Sequence, residues 1–90
     1  MEPSAARLRA AILEAVDAQI REGTPPATRE TFDRLQREGT PAAEAKRLIA
    51  AVLSAEIFNI AKHNQTYDET RYVQRLQQLP VMPWSEDEEA

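Results

Sequence analysis

Residues 41–64, PAAEAKRLIAAVLSAEIFNIAKHN, form the longest uninterrupted helical pattern in the chain. No glycine or proline follows the first residue, and most side chains are types that lose little rotamer freedom in a helix. On a helical wheel the apolar residues share one broad face, with the spacing of three and four that burial requires. They are Ala45, Leu48, Ile49, Val52, Leu53, Ile57 and Ile60. Phe58, Ala51 and Ala55 widen this face, which predicts a long third helix surrounded by other helices.

Three polar residues, Glu56, Asn59 and His63, point into the same apolar face. A carboxylate that leaves water needs a charged or hydrogen-bonding partner, because burial penalises its ionised form. The first interpretation is structural. Arg71 or Arg75 of the last helix neutralises Glu56, and His63 lies near solvent at its helix end.

The second interpretation of the same residues is a small-ligand site. Glu56, Asn59 and His63, joined by Tyr72 or Tyr67, would then line a small polar pocket. Buried titratable groups are candidates for function, but structural ion pairs produce the same pattern. The wheel alone leaves both interpretations open.

The N-terminal helix is predicted over residues 5–22, with Ser4 as its N-cap and Gly23 as its stop. Its apolar stripe consists of Leu8, Ile12, Val16, Ile20 and the adjacent Leu13. This stripe predicts packing against the third and fourth helices of one chain, or in part a seam between two copies. The chain is therefore expected to be a monomer or a homodimer.

Helices two and four are predicted over residues 27–38 and 68–79. The second is anchored by Phe32 and Leu35, and Gly39 ends it. Threonine followed by proline, at Thr24 and Thr40, is expected to cap helices two and three. Residues 66–69, TYDE, have the form of a capping box that begins helix four. The buried stripe of helix four is Tyr72, Val73, Leu76 and Leu79, and Pro80 ends the helix.

The composition of the chain restricts the classes of function that it can have. Ninety residues make one domain, and the absence of cysteine excludes disulfides and thiolate metal sites. All 11 basic residues precede residue 80, where they balance the acids, so residues 86–89 supply the net charge of −4. A neutral body gives little support to binding of a phosphate backbone. No secretory signal or long apolar run is evident, which predicts a cytoplasmic protein without a membrane segment.

The last segment, residues 81–90, is predicted to be an extended acidic tail appended to a helical domain of residues 1–80. Val81, Met82 and Trp84 provide apolar area, and Glu86 and Asp87 begin the acidic run. One interpretation is that Trp84 folds back over the helices while the acids remain solvated. The other is that this segment docks on a partner protein.

Catalysis is not predicted. The chain has one histidine, and no serine lies in a Gly-x-Ser-x-Gly setting. Two glycines are too few for a loop that cradles phosphates, and Asn59 stands where a di-iron Glu-x-x-His motif would need histidine. We therefore expect no cofactor and no metal.

A nucleic-acid-binding regulator is the main alternative to a protein-binding module. Helices two and three, with the turn at Gly39, superficially form a helix-turn-helix. A basic corner could come from Arg29, Arg34, Arg37, Lys46 and Arg47. Acidic residues alternate with these cations, and helix three uses most of its surface for apolar contact, so nucleic acid is not the expected partner.

A resemblance extends over about residues 30–80. Glu38-Gly39, Leu48-Ile49-Ala50, Glu56-Ile57-Phe58, Arg71-Tyr72 and Leu79-Pro80 resemble corresponding segments of short bacterial proteins of unknown function. The resemblance implies an all-helical bacterial domain and carries no catalytic residues. Together, these observations predict a small four-helix bundle around the third helix, acting by protein–protein interaction as an adaptor or regulator.

Overall fold

The computed structural model describes residues 4–64 and 66–82, and within these ranges the chain is all-α, with four helices and no strand. The helices are α1 (Ser4–Glu22), α2 (Pro26–Arg37), α3 (Ala42–His63) and α4 (Glu69–Gln78). Each boundary lies within one residue of the sequence prediction. The helical bundle predicted from the sequence is therefore confirmed.

The first three helices end where the backbone reverses into the left-handed region. Gly23 has φ of 67° and Gly39 has φ of 105°, values that side chains disfavour and glycine accepts. At the end of α2 the Thr40 amide donates to the Leu35 carbonyl at 2.8 Å, which closes a Schellman-type turn. Asn64 ends α3 in the same left-handed conformation, with φ of 54° and ψ of 42°. The predicted helix stops are confirmed.

The predicted N-cap residues of α2, α3 and α4 need correction. Pro25 and Pro41 are the N-cap residues of α2 and α3, and neither helix has a side-chain cap. Thr24 and Thr40 stand one residue too early to reach the first free amides. In α4 the cap is Asp68, whose side chain accepts a hydrogen bond from the Arg71 amide at 3.1 Å, so the Thr66 capping box is wrong.

The core lies where α2 and α3, which each contact the other three helices, meet α1 and α4. α3 is the longest helix, with 22 residues. The buried apolar side chains are Ile12, Val16, Leu35, Ala45, Ile49, Ala50, Val52, Leu53, Tyr72, Leu76 and Leu79. Thr28 and Thr31 of α2 are also buried, whereas the predicted anchor Phe32 is only half-buried. In the first part of α3, Ala45, Ile49 and Ala50 face this core, whereas Ala42, Ala43 and Arg47 are exposed.

The C-terminal half of α3 departs from the prediction. Ile57 and Phe58 are 41% and 61% exposed, although the wheel assigned both to the covered face. Leu8, at the start of the predicted stripe of α1, is 57% exposed. Leu8 and Ile12 of α1 line a groove with Ile57 and Phe58, and the described helices leave this side of α3 exposed. No helix in the described part of the chain is long and apolar enough to cross a membrane.

Candidate functional site

Glu56 is fully buried at the contact between α3 and α4, and its carboxylate is paired with Arg71. The Arg71 Nε donates to both carboxylate oxygens, at 3.0 Å to Oε1 and 3.2 Å to Oε2. Arg75, one turn further along α4, has its Nε 4.0 Å from Oε2. Since both arginines lie on the same face of α4, the buried carboxylate faces two cations.

The Arg71 guanidinium is fixed by this pairing. Its Nη2 lies 2.9 Å from Glu56 Oε1, but the N–H groups of this buried nitrogen do not point at an acceptor. The hydrogen bond to Glu56 raises the pKa of Arg71, and burial opposes it. The arrangement is an ion pair between helices, as the first interpretation of the sequence predicted.

A second buried polar group joins three helices. The amide oxygen of Gln19 in α1 accepts hydrogen bonds from Tyr72 of α4 at 2.8 Å and from Thr28 of α2 at 2.9 Å. Burial raises the pKa of Tyr72 to about 12, with smaller contributions of the same sign from Tyr67 and Glu56. Gln19 and Thr28 were not identified from the sequence. One signal in the sequence could have identified Gln19 as a core residue. It lies one turn after the buried Val16 on the same helix face.

The four residues of the predicted polar pocket differ in burial and in their hydrogen-bond partners. Within the described residues, no hydrogen bond or ion pair joins Glu56 to Asn59, His63 or Tyr72. Asn59 is half-buried, and His63 is exposed at the end of α3. The Tyr72 hydroxyl is directed to Gln19, and its ring packs against Tyr67 with centroids 6.3 Å apart.

A shallow depression lies beside the connection between α3 and α4. It has a volume of about 650 Å³ and is lined by Asn64, by residues 66–70 and by Arg71. It is wide open to solvent and shares only Arg71 with the Glu56 ion pair. The lining of this depression therefore does not include the buried carboxylate of Glu56.

The predicted docking segment is only partly described. Val81 is 56% exposed, and Met82 is half-buried against the core. Trp84, Glu86 and Asp87 lie outside the described residues.

An apolar groove between α1 and α3 is the concave site that sequence reasoning missed. It has a volume of about 390 Å³ and is lined by Leu8, Ile12, Ser54, Ile57, Phe58 and Ala61. Its rim is made by large apolar side chains that are about half exposed or more. Lys62 Nζ lies 5.4 Å from the centroid of the Phe58 ring, which places a cation at this edge. Such a groove can bind apolar side chains of another molecule.

The groove results from the antiparallel arrangement of α1 and α3. Lys46, near the start of α3, pairs with Asp17 in the second half of α1 at 2.8 Å. The start of α1 therefore lies against the end of α3, where Leu8 meets Phe58. Leu8 of α1 and Phe58 of α3 both line the groove and are exposed. The groove is therefore open to solvent on its outer side.

The basic corner predicted for nucleic acid is largely occupied by contacts within the chain. Arg29 donates to the carbonyls of Ile20 and Arg21 at 2.9 and 2.7 Å, and so caps the end of α1. Arg34 donates to the Leu76 carbonyl at 3.3 Å near the end of α4.

The other cations of this corner are also accounted for. Lys46 pairs with Asp17 and lies 5.8 Å from the Phe32 ring centroid, and Arg47 pairs with Glu44. Arg37 is exposed. Four of the five predicted cations thus hold helices of the bundle or pair on its surface.

No protein-family model, curated protein or solved structure matches this chain. Among the described residues, no cluster of three or more histidine, aspartate or glutamate side chains could hold a metal ion.

Proposed function

We propose that this chain is a small protein–protein interaction module, an adaptor or regulator without catalysis, whose docking surface is the α1–α3 groove. The observation that carries the proposal is the exposure of Leu8, Ile57 and Phe58 together on one concave surface of the bundle. Exposed apolar side chains that are adjacent and concave are typical of surfaces that bind another polypeptide.

The energetics of the groove support an apolar partner. Phe58 is 61% exposed, and aromatic side chains provide the largest buried area and the most frequent hot spots of interfaces. Covering Phe58 and Leu8 removes apolar area from water at little cost, since Ser54 is the only polar residue among the described ones that line the groove. The partner we propose therefore presents apolar side chains to the groove, with charge at its edges.

Binding of nucleic acid is less well supported. A phosphate backbone needs cations that are free to replace counterions. Arg29 and Arg34 are engaged at carbonyls near helix ends, and Lys46 is paired with Asp17. We retain the cytoplasmic location and the bacterial origin as proposals beside the main one.

The proposal is tested by affinity capture from native cell extract with the full chain and two matched variants. Phe58→Asp places a charge in the groove, and Val81→Asp places the same charge on an exposed apolar residue near the predicted tail. We expect one protein to be recovered with the wild type and with Val81→Asp, but not with Phe58→Asp. Equal circular dichroism of the three proteins is the control for folding.

The outcomes separate the two docking surfaces considered for this chain. Loss of the partner with Val81→Asp alone would assign the docking site to the C-terminal segment. It would contradict the proposal that the groove is the docking surface. Recovery of nucleic acid by all three proteins, weakening steeply with salt, would instead favour the basic corner.

A further inference from the structure

A stripe of hydrogen-bond donors runs along one face of α4. Its members are three, one and three residues apart, which places them on the same side of the helix. They are Arg71, Gln74, Arg75 and Gln78, and together they line an open depression of about 330 Å³. Guanidinium and amide N–H groups are suitable donors to carboxylate oxygens. After Glu69 in its first turn, α4 contains no acidic residue. We call these four residues the α4 donor stripe.

The two arginines of the α4 donor stripe carry more positive charge than the buried carboxylate neutralises. Glu56 supplies one negative charge, and Arg71 donates to it through Nε. The Arg75 Nε lies 4.0 Å from the same carboxylate, and Arg75 donates no hydrogen bond within the described residues. The two arginine side chains are 27% and 32% exposed, so both are accessible from solvent. Among the described residues, this stripe with Glu56 therefore has one positive charge in excess.

The sequence contains a cluster of carboxylates that is complementary to this excess charge. Four consecutive acids supply the whole net charge of −4, namely Glu86, Asp87, Glu88 and Glu89. They follow α4 closely in the chain. The Val81 amide donates to the Gln78 carbonyl at 2.9 Å, and Met82 packs against the core. The chain that carries the acids therefore starts beside the last residue of the α4 donor stripe.

The length of this connection allows the acids to return along α4. Arg75 and Arg71 lie three and seven residues before Gln78, which is about 4.5 and 10 Å along the helix. The five residue steps from Val81 to Glu86 can span at most about 17 Å. The acidic run is thus long enough and near enough to contact both arginines of its own chain.

We propose that the α4 donor stripe is a binding surface for clustered carboxylates, and that its occupant is the acidic run of residues 86–89 of the same chain. Charge complementarity and the reach of the chain carry this inference. The stripe shares no described lining residue with the α1–α3 groove, so the inference concerns a second surface. Exposed ion pairs are weak, but a short tether gives the acids a millimolar effective concentration at the stripe.

Paramagnetic broadening of amide signals in the full chain tests this contact. The chain has no cysteine, so Ala90→Cys provides a single attachment point for a nitroxide and leaves the four acids intact. We expect the label to broaden the amide signals of Arg71 and Gln74, which lie away from the end of α4. Added salt should reverse this broadening, because it screens exposed charges. The same protein with the nitroxide reduced gives the reference spectrum.

Variants in the labelled chain identify the charges that make the contact. Arg75→Glu should remove most of the broadening at Arg71 and Gln74. Arg37→Glu makes the same change at an exposed position of α2 and should leave the broadening intact. A neutral tail should abolish it, and this variant changes no residue of the four helices. Its substitutions are Glu86→Gln, Asp87→Asn, Glu88→Gln and Glu89→Gln.

The alternative outcomes contradict the inference in distinct ways. Broadening that is unchanged by the neutral tail would show that the acids do not make the contact. Broadening of Leu8 and Phe58 in place of Arg71 and Gln74 would move the tail to the α1–α3 groove. Broadening of isotope-labelled chains by nitroxide on other, unlabelled chains would assign the acids to a second copy. The absence of broadening at Arg71 and Gln74 in the wild-type background would overturn the inference directly.

Discussion

Adjacent residues of α3 have opposite environments. Glu56 is charged and fully buried, whereas Ile57 and Phe58, the next two residues, are apolar and 41% and 61% exposed. A rule that places apolar residues inside predicts the reverse at all three positions. The difference shows that burial on a helix depends on which neighbour covers each face, not on the residue alone.

The neighbour on the Glu56 side is α4, which supplies Arg71 and Arg75. A buried carboxylate without a partner costs several kcal/mol, so this side requires those cations as well as apolar contact. On the other side Leu8 and Ile12 of α1 line a groove with Phe58, whose side chain stays mostly exposed. The first side is completed within the chain, and the described helices leave the second side open.

Among the substitutions on α3, the largest loss of stability is expected at the buried Glu56. Glu56→Ala should lower the free energy of unfolding by about 3 kcal/mol, because it leaves Arg71 without its counter-charge and opens space in the core. Urea denaturation followed by circular dichroism measures this change.

Glu44→Ala is the matched control, because Glu44 is also on α3 and is paired with Arg47 at an exposed position. It should change stability by about 0.5 kcal/mol or less. A similar small effect at Glu56 would show that the buried pair does not stabilise the contact between α3 and α4.

The free energy of unfolding should depend on pH through the buried Tyr72. Burial raises the pKa of Tyr72 from 10.0 to about 12, so the folded chain retains this proton at a higher pH than the unfolded chain. The contribution to stability is complete below about pH 10 and is lost as pH rises through about 12. Denaturation at several pH values should show a fall of about 2 kcal/mol over this range.

Tyr72→Phe provides the reference for this titration, since it removes the ionisable group and retains the ring. It should be less stable than the wild type by about 1 kcal/mol near neutral pH, because the hydrogen bond to Gln19 is lost. Above pH 10 its stability should fall less steeply. Burial also raises the pKa of Tyr67, so part of the slope should remain. Equal slopes in the two proteins would contradict the assignment to Tyr72.

The smallest effect is expected on the exposed side. Phe58→Ser should change the free energy of unfolding of the monomer by about 0.5 kcal/mol or less, because the ring is already in solvent. Leu53→Ala, at a buried position of the same helix, should cost about 3 kcal/mol. Thermal denaturation at low concentration measures both, and a large loss at Phe58 would show that the ring supports the fold of one chain.

The boundaries of the helices were predictable because they depend on local chemistry. Gly23 and Gly39 adopt backbone conformations that side chains disfavour, so each ends a helix whatever packs around it. The caps were less predictable. A threonine before a proline is one residue too early to cap, and in α4 the side chain that reaches the free amide is that of Asp68, not Thr66.

The candidate site was predictable only in part. The position of Glu56 on the apolar face indicated a buried carboxylate, and the apolar spacing of α4 placed Arg71 and Arg75 as its candidate partners. The groove could not be predicted, because the same wheel that identifies Ile57 as apolar does not show where the covering helix ends. Gln19 was overlooked for a related reason, since a polar residue on a core face is recognised only with its partners, Tyr72 and Thr28.

The sequence by itself determined four helices, their ends and an all-helical domain, because helix propensity, glycine stops and apolar periodicity act over a few residues. Tertiary structure alone decided which face of α3 each neighbour covers, because that depends on contacts between residues far apart in the chain. It places the Glu56 carboxylate at Arg71, 15 residues away, and leaves Phe58 beside Leu8 with an open outer side. An interior charge and an exposed aromatic ring on one helix are therefore consequences of packing, not of the helical pattern.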